Sequence, residues 1–197
     1  TSHVRTTCAY CGVGCTLTTG LRDGRVVSMV PADDGPSNQG HACLKGRFGW
    51  TYNYAEDRVR TPLLRDGTGW KPIGWEQALD LMARSFGRIK EESGPDALAA
   101  ISSSRGTNEE NYLLGKFIRC VMGTNHIDNC ARVCHSATVI GMMETLGASA
   151  ATNSIRDVDE AKLILVVGAN PTESHPVVGA RLLQRARHGV PLIVIDP

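Results

Sequence analysis

Lys162–Gly168 reads KLILVVG, an unbroken run of apolar residues between a lysine and a glycine. A short apolar run rich in branched side chains and followed by a loop predicts a buried β-strand. Downstream, a helix is predicted from about Pro176 to Arg187, and a last strand from Pro191 to Ile195. A strand, a helix and a strand joined by short loops form a βαβ unit, which implies a parallel sheet with helices on its faces.

A similar pattern is predicted upstream. Apolar residues three or four positions apart follow Glu76 and define one face of a helix that Gly94-Pro95 ends: Ala78, Leu79, Met82, Phe86 and Ile89. Ala97–Ser103 predicts a buried strand, and further helices are predicted from about Glu109 to Val121 and from about Cys134 to Leu146. Ligands of parallel sheets bind at the carboxyl ends of the strands, so the candidate ligand loops are Ser102–Thr107, Gly168–Glu173 and Asp196.

Residues 1–60 are different in character, being turn-rich and bearing cysteines. Leu17–Met29 predicts a hairpin with Asp23-Gly24 as its turn. A β module this small needs a staple to be stable alone. Residues 61–75 hold a second Asp-Gly and are expected to form a linker or a hairpin.

The predicted fold class is therefore α/β, with two domains. Residues 1–60 are expected to form a small N-terminal β module, and residues 61–197 the first part of a doubly wound parallel α/β domain. The chain stops at a strand end, so we expect it to be a fragment of a longer polypeptide.

Charge and hydropathy argue against two classes of function. Lysine and arginine number 21 against 20 acidic residues, so the basic excess of a nucleic-acid-binding protein is absent. No apolar run approaches the length of a membrane span, and no secretory leader is evident, so a cytoplasmic location is expected. In a reducing compartment, clustered cysteines such as some of these 7 are more often metal ligands or catalytic thiols than disulfides.

Four of the cysteines carry the most informative spacing in the chain. Cys8, Cys11 and Cys15 lie close together, and Cys43 follows after a long loop. Four thiolates suit either tetrahedral zinc or a 4Fe–4S cluster. Zinc sites usually use two CxxC pairs, whereas three clustered cysteines and a distant fourth fit a cubane whose iron atoms each take one thiolate. A zinc site is the alternative.

Lys45 lies two residues after the last of these cysteines. Its charge either neutralises an anionic cluster or lies between that cluster and a second redox centre. Gly12 and Gly14 allow the backbone between the cysteines to wrap tightly and leave amides free for cluster sulfides.

A second candidate centre is the segment CARVCHS. Cys134 is expected at a helix start, where the helix dipole favours a thiolate. His135 follows directly, and an imidazole exchanges protons near neutral pH. A packed cysteine beside a surface histidine is the alternative. Cys120 and Cys130 are expected to be packing residues.

Taken in order, six segments resemble the formate dehydrogenase branch of the molybdopterin oxidoreductases: CAYCGVGC, CLKGRFGW, RGTNEENY, CARVCHS, GANPTESHPVVGARL and IDP. The resemblance runs through almost the whole chain. It implies a 4Fe–4S cluster and a molybdenum or tungsten ion carried by two molybdopterin guanine dinucleotides. Family members are several times longer, and their later domains supply half of the pterin contacts and a substrate-binding arginine.

The resemblance also implies roles for individual residues. Cys8, Cys11, Cys15 and Cys43 match the cluster ligands, and Lys45 matches a lysine that bridges cluster and pterin. Cys134 matches the metal ligand, which is selenocysteine in some relatives, and His135 matches a histidine that assists proton removal. Matches to pterin-dinucleotide contacts are Arg105, Val166, Val167, Gly168, Ala169, Asn170, Pro171, Thr172, Glu173, His175 and Asp196.

The implied activity is the interconversion of formate and carbon dioxide, with electrons passed to further iron–sulfur subunits and to a flavin subunit that reduces NAD. The alternatives are an assimilatory-type nitrate reductase of the same family and a truncated electron-transfer protein with a cluster and no metal. Nitrate reductases typically carry methionine or a small residue after the ligand cysteine, where this chain has His135.

Overall fold

The computed structural model describes residues 2–196, which fold into two compact units. The first contains residues 2–55 and 151–196, and the second is Glu56–Ala150. Among the described residues, no helix combines the length and the apolar character needed to cross a membrane.

The first unit begins with a three-stranded antiparallel sheet of β1 (Ser2–Thr7), β2 (Thr16–Arg22) and β3 (Arg25–Pro31), in that order. Asp23 and Gly24 both have positive φ, 51° and 73°, as the two-residue turn of a twisted hairpin requires. The predicted hairpin is therefore confirmed. A loop then leads to the one-turn helix α1 (Leu44–Phe48) and a 3₁₀ segment, Gly49–Tyr54.

The same unit contains the predicted C-terminal βαβ unit. After the one-turn helix α6 (Asp157–Glu160), β8 (Ile164–Val167) pairs in parallel with β9 (Leu192–Ile195), and the connection carries α7 (Pro171–Ser174) and α8 (Pro176–Arg187). Val177 of α8 joins the buried cluster of Val13, Cys15 and Leu17. The N-terminal β module and the C-terminal helix thus share one hydrophobic core.

The second unit opens with the hairpin of β4 (Leu63–Asp66) and β5 (Gly69–Pro72), followed by α2 (Trp75–Ser93). β6 (Ala100–Ser102) pairs in parallel with β7 (Ile127–Asn129), and α3 (Asn108–Lys116) with a π-helical turn, Phe117–Met122, connects them. The helices α4 (Ala131–Cys134) and α5 (Ser136–Leu146) follow. Leu98, Ile118 and Met122 form the core.

Three features of this unit differ from the sequence expectations. The helix expected from Cys134 begins at Ser136, because the backbone at His135 leaves the helical region (φ −150°) and separates α4 from α5. β7 was not predicted, because three residues with a central aspartate show no strand period. The expected apolar face of α2 is only partly covered: Phe86 and Ile89 pack on the core, whereas Leu79 and Met82 remain 58% and 50% exposed.

Candidate functional site

Three of the predicted cluster cysteines lie in the loop that joins β1 to β2. The backbone N–H of Cys8 donates to the carbonyl oxygen of Cys15 at 2.9 Å, which closes the loop at its base. Inside it, the N–H of Gly14 donates to Cys11 at 3.3 Å, and Gly14 has φ +63°, a conformation that favours glycine. The three thiols therefore project from one tight turn.

The fourth cysteine is brought to this turn by Asn38, which is fully buried. Its Oδ1 accepts a hydrogen bond from the N–H of Thr16 at 2.8 Å. Its Nδ2 donates to the carbonyl oxygens of Thr16 at 3.2 Å and His41 at 2.8 Å. One side chain thus joins the residue after Cys15 to the segment that leads into Cys43.

Cys15 belongs to the buried core, and Cys8 and Cys11 pack against it. Burial, and to a smaller extent the neighbouring thiols of Cys8, Cys11 and Cys43, raises the pKa of Cys15 to about 11. All four are free thiols. A sulfur-only donor set with one buried thiol fits a group whose iron charges stabilise thiolates. In the described part of the chain, no three Cys, His, Asp or Glu side chains are arranged to hold a single metal ion.

Lys45 is an exposed residue of α1, two residues after Cys43. Its neighbour Gly46 is buried, and a Cβ added to it would lie 3.5 Å from the sulfur of Cys8. The first turn of α1 therefore approaches the cysteine loop closely, and Lys45 is held on an element that packs beside it.

In the second unit, Cys134 and His135 occupy the junction of two helices. Cys134 is the last residue of α4, and His135 precedes the first residue of α5. Both side chains are exposed. Cys134 therefore lies at the carboxyl end of a one-turn helix, and the expected thiolate-favouring dipole of a helix start does not act through α4.

The junction is connected to the strand ends by Asn129, the last residue of β7. Its Oδ1 accepts from the N–H of Ala131, the first residue of α4, at 2.9 Å. Its Nδ2 donates to the hydroxyl oxygen of Ser102 at 2.7 Å, at the carboxyl end of β6. Arg105 is exposed in the loop after β6, where its N–H donates to the Ser103 hydroxyl at 3.1 Å.

The predicted dinucleotide loop surrounds a cavity of about 190 Å³ at the carboxyl ends of β8 and β9. Six predicted contacts line it: Val166, Ala169, Asn170, Pro171, Thr172 and Asp196. The structure thus brings these residues together in one place. Cavities that enclose drug-sized ligands are usually about 300–1,000 Å³, so this one is too small to enclose a dinucleotide.

The other predicted contacts of this segment lie outside the cavity lining. Val167 follows Val166 at the end of β8 and lies on the opposite face of the strand. Gly168 comes next and has φ +57°, which turns the chain. Glu173 lies in α7, and its N–H donates to the Asn170 carbonyl at 3.2 Å. His175 separates α7 from α8, and its Nδ1 is 3.0 Å from the hydroxyl of Ser174.

A close contact fixes this loop against α8. A Cβ on Gly179 would lie 2.7 Å from both the Pro171 carbonyl oxygen and the Cα of Thr172. Only glycine allows α8 to approach the loop at this distance. The loop therefore packs directly against α8, a helix of 12 residues, and is not held by the single turn of α7 alone.

The comparisons with known proteins define the family. Residues 1–55 match the molybdopterin oxidoreductase Fe4S4 domain, and residues 58–197 match molybdopterin oxidoreductase. The chain therefore belongs to the molybdopterin oxidoreductase family, with domains for a 4Fe–4S cluster and a molybdopterin cofactor. This match decides between the cluster and the zinc alternative.

Individual relatives agree over nearly the whole chain. Formate dehydrogenase H of Escherichia coli is 41% identical over 201 residues, covering 98% of this chain and 28% of the relative. Probable oxidoreductase YjgC of Bacillus subtilis is 41% identical over 193 residues, covering 98% and 20%. Acetylene hydratase from Pelobacter acetylenicus shares the fold, with a TM-score of 0.76 at 23% identity over 98% of this chain and 27% of that one. The chain thus spans between a fifth and little more than a quarter of these proteins.

Two asparagines in these sites were missed by the sequence analysis. Asn38 and Asn129 are each short polar residues next to turns, where asparagine is common for reasons unrelated to function. Their position beside cysteines is the one indication in the sequence. Asn38 lies in the segment that leads to Cys43, and Asn129 directly precedes Cys130. Their roles become visible in the hydrogen bonds they make.

Proposed function

We propose that this chain is the N-terminal part of a formate dehydrogenase catalytic subunit, organised as a cluster domain (1–60) and the first part of a molybdopterin-binding domain (61–197). The observation that carries the proposal is the adjacent pair Cys134 and His135, exposed at the junction of α4 and α5 beyond a parallel strand. Relatives named as formate dehydrogenases, about 41% identical along the chain, support it.

In this proposal, Cys8, Cys11, Cys15 and Cys43 bind the 4Fe–4S cluster, each through one thiolate. Lys45 places a positive charge beside that anionic cluster, which favours its reduced state. The segment Val166–Glu173 with Arg105, His175 and Asp196 holds pterin-dinucleotide groups, through backbone amides and polar side chains at strand ends.

Cys134 is proposed to bind the molybdenum or tungsten ion through its Sγ. Oxidation of formate yields carbon dioxide, one proton and two electrons. When bound, the molybdopterin-held metal and the cluster supply the electron acceptors. The imidazole of His135 accepts the proton, since it follows the ligand directly and is exposed on the same junction.

The proposal includes formate and carbon dioxide as substrates and a cytoplasmic location. Its partners are further iron–sulfur subunits and a flavin subunit that reduces NAD.

The test is formate-dependent reduction of a viologen dye by the full-length protein, purified without oxygen from its native source. The wild-type protein is expected to reduce the dye with formate and not to oxidise reduced dye with nitrate. Cys134→Ala should abolish the activity while the spectrum of the cluster stays unchanged. Cys120→Ala, which removes another exposed thiol of the same unit, should leave both unchanged.

An active Cys134→Ala enzyme would contradict the assigned metal ligand. Activity with nitrate and none with formate would identify a nitrate reductase instead. Iron without molybdenum or tungsten, and no activity with either substrate, would identify an electron-transfer protein.

A further inference from the structure

We propose that Asn129 is a positioning residue that sets the placement of Cys134 and His135 relative to the loop that carries Arg105. The inference rests on the proposed function of Cys134 as metal ligand. Asn129 itself is not proposed to contact the cofactor or the substrate.

The short helix that ends in Cys134 lacks the means to fix its own orientation. α4 has four residues, and an isolated helical turn is unstable in water because forming its first hydrogen bond fixes several residues. Two local contacts support it: Arg132 pairs with Asp128 at 2.7 Å, and the Ser136 hydroxyl donates to the Arg132 carbonyl at 2.6 Å. Both contacts are exposed; exposed ion pairs contribute little, and the hydrogen bond from Ser136 lies within the same short segment.

Asn129 supplies the partly buried connection. Its Oδ1 accepts a hydrogen bond from the N–H of Ala131 at 2.9 Å, which provides a partner for a backbone amide at the start of α4. Its Nδ2 reaches Ser102 on the neighbouring strand at 2.7 Å, with the Asn111 amide oxygen of α3 at 3.4 Å. One side chain therefore contacts a strand, a long helix and the helix that ends in Cys134.

The next residue extends this connection to the Arg105 loop. The N–H of Cys130 donates to the Ser102 carbonyl at 3.2 Å. The Sγ of Cys130 accepts from the N–H of Ser104 at 3.3 Å and lies 3.3 Å from the Ser104 hydroxyl. The loops after β6 and β7 are thus joined just before they reach Arg105 and Cys134.

These hydrogen bonds therefore hold Cys134, the proposed metal ligand, and Arg105, a proposed pterin contact, on connected loops. Residues that orient metal ligands typically change metal affinity or activity 10- to 100-fold when they are replaced. We therefore expect Asn129→Ala to lower kcat for formate about 10-fold or more, with a smaller change in KM, because Asn129 is proposed to act through Cys134 and His135 and not by binding formate. Molybdenum or tungsten per chain should fall as well.

The experiment compares wild-type, Asn129→Ala, Asn129→Asp and Asn125→Ala full-length enzyme. Aspartate retains the acceptor for the Ala131 N–H, and the Ser102 hydroxyl can donate to it by giving up its 3.3 Å hydrogen bond to the Asp128 carbonyl, so metal content should recover in part. Asn125 is exposed and accepts a bond from Arg119 at 2.9 Å, so its alanine variant is the matched control and should behave as wild type. The readouts are kcat and KM, metal per chain, and the EPR spectra of the metal and of the 4Fe–4S cluster.

An altered metal EPR spectrum with an unchanged cluster spectrum is the expected result, and it is informative even if the wild-type enzyme does not oxidise formate. Asn129→Ala with wild-type metal content, metal spectrum and kcat within about two-fold would overturn the inference. If Asn129→Ala does not accumulate, Ser102→Ala removes the 2.7 Å contact, together with the 3.3 Å hydrogen bond from the Ser102 hydroxyl to the Asp128 carbonyl, and should shift the metal spectrum in the same direction. A wild-type spectrum in Ser102→Ala would then overturn the inference.

Discussion

Asn38 and Thr16 hydrogen-bond each other twice, as the pairing of two strands would. The Asn38 Oδ1 accepts from the Thr16 N–H at 2.8 Å, and the Asn38 Nδ2 donates to the Thr16 carbonyl at 3.2 Å. The side chain therefore takes the place of a backbone partner at the start of β2. It connects the two parts of the chain that carry Cys15 and Cys43.

Asn38→Ala is expected to lower both stability and iron content. A fully buried backbone group left without a partner costs about 1–3 kcal/mol, and the N–H of Thr16 and the carbonyl of His41, whose hydrogen bonds to Asn38 are partly buried, would lose theirs at somewhat lower cost. Asn38→Asp should also lower stability and iron content, because a carboxylate cannot donate to the carbonyls of Thr16 and His41. Iron per chain and the urea midpoint measure the effect, with the exposed Asn153→Ala as control. Full iron content in Asn38→Ala would contradict it.

Gly179→Ala should destabilise the protein and reduce its pterin content. The new methyl would meet backbone atoms of Pro171 and Thr172 at 2.7–2.8 Å, and such overpacking typically costs about 1–3 kcal/mol. Gly87→Ala is the matched control, since nothing lies within 4 Å of its added Cβ, and it should gain about 0.5–1 kcal/mol. Thermal unfolding and pterin analysis measure both. Equal effects of the two substitutions would show that the close approach of α8 is absent in solution.

The ion pair of Arg181 and Asp159 is expected to matter more than the exposed pairs. The Arg181 side chain is 7% exposed and that of Asp159 is 46% exposed, with Nη1 and Oδ2 3.0 Å apart. Asp159→Asn keeps an oxygen that can accept the hydrogen bond but removes the negative charge beside a buried guanidinium, which should cost about 1–3 kcal/mol. Glu92→Gln, which breaks an exposed pair with Arg88, should cost below about 0.5 kcal/mol. Urea midpoints at low salt compare the two, and similar losses would refute the distinction.

Cys130 should react with iodoacetamide at lower pH than an ordinary thiol. The Ser104 hydroxyl and N–H, both 3.3 Å from the sulfur, stabilise the thiolate and lower the pKa of Cys130. A lower pKa gives a larger thiolate fraction at neutral pH, so the midpoint of the labelling profile moves down. Ser104→Ala should move it up, since one of the two donors is lost. Mass spectrometry of each cysteine measures this, with Cys120 as internal reference; an unchanged midpoint would exclude the hydroxyl as a cause.

The sequence predicted those parts of the fold that local patterns specify. The α8 boundaries and the Asp23-Gly24 hairpin match because a proline start and a two-residue turn are written in adjacent residues. The break at His135 could not be predicted, because every residue from Ala131 to Leu146 is compatible with a continuous helix.

The residues of the candidate site also divide into those that the sequence predicts and those that it does not. Cysteine spacing is a linear property, and it led to Cys8, Cys11, Cys15 and Cys43, whose thiols the structure brings together. Asn38 and Asn129 act through hydrogen bonds to residues 22 and 27 positions away, and no sequence period encodes a contact of that kind.

The first unit is assembled from two separate segments, residues 2–55 and 151–196, with Glu56–Ala150 between them in the sequence. During synthesis the ribosome releases Cys15 well before Val177, although the two share one core and are separated by roughly 160 residues. The intervening unit is contiguous and is the first that can finish folding. The hydrophobic surroundings of the cysteine loop can close only after α8 has emerged, so iron and sulfide are expected to be inserted after α8 has left the ribosome.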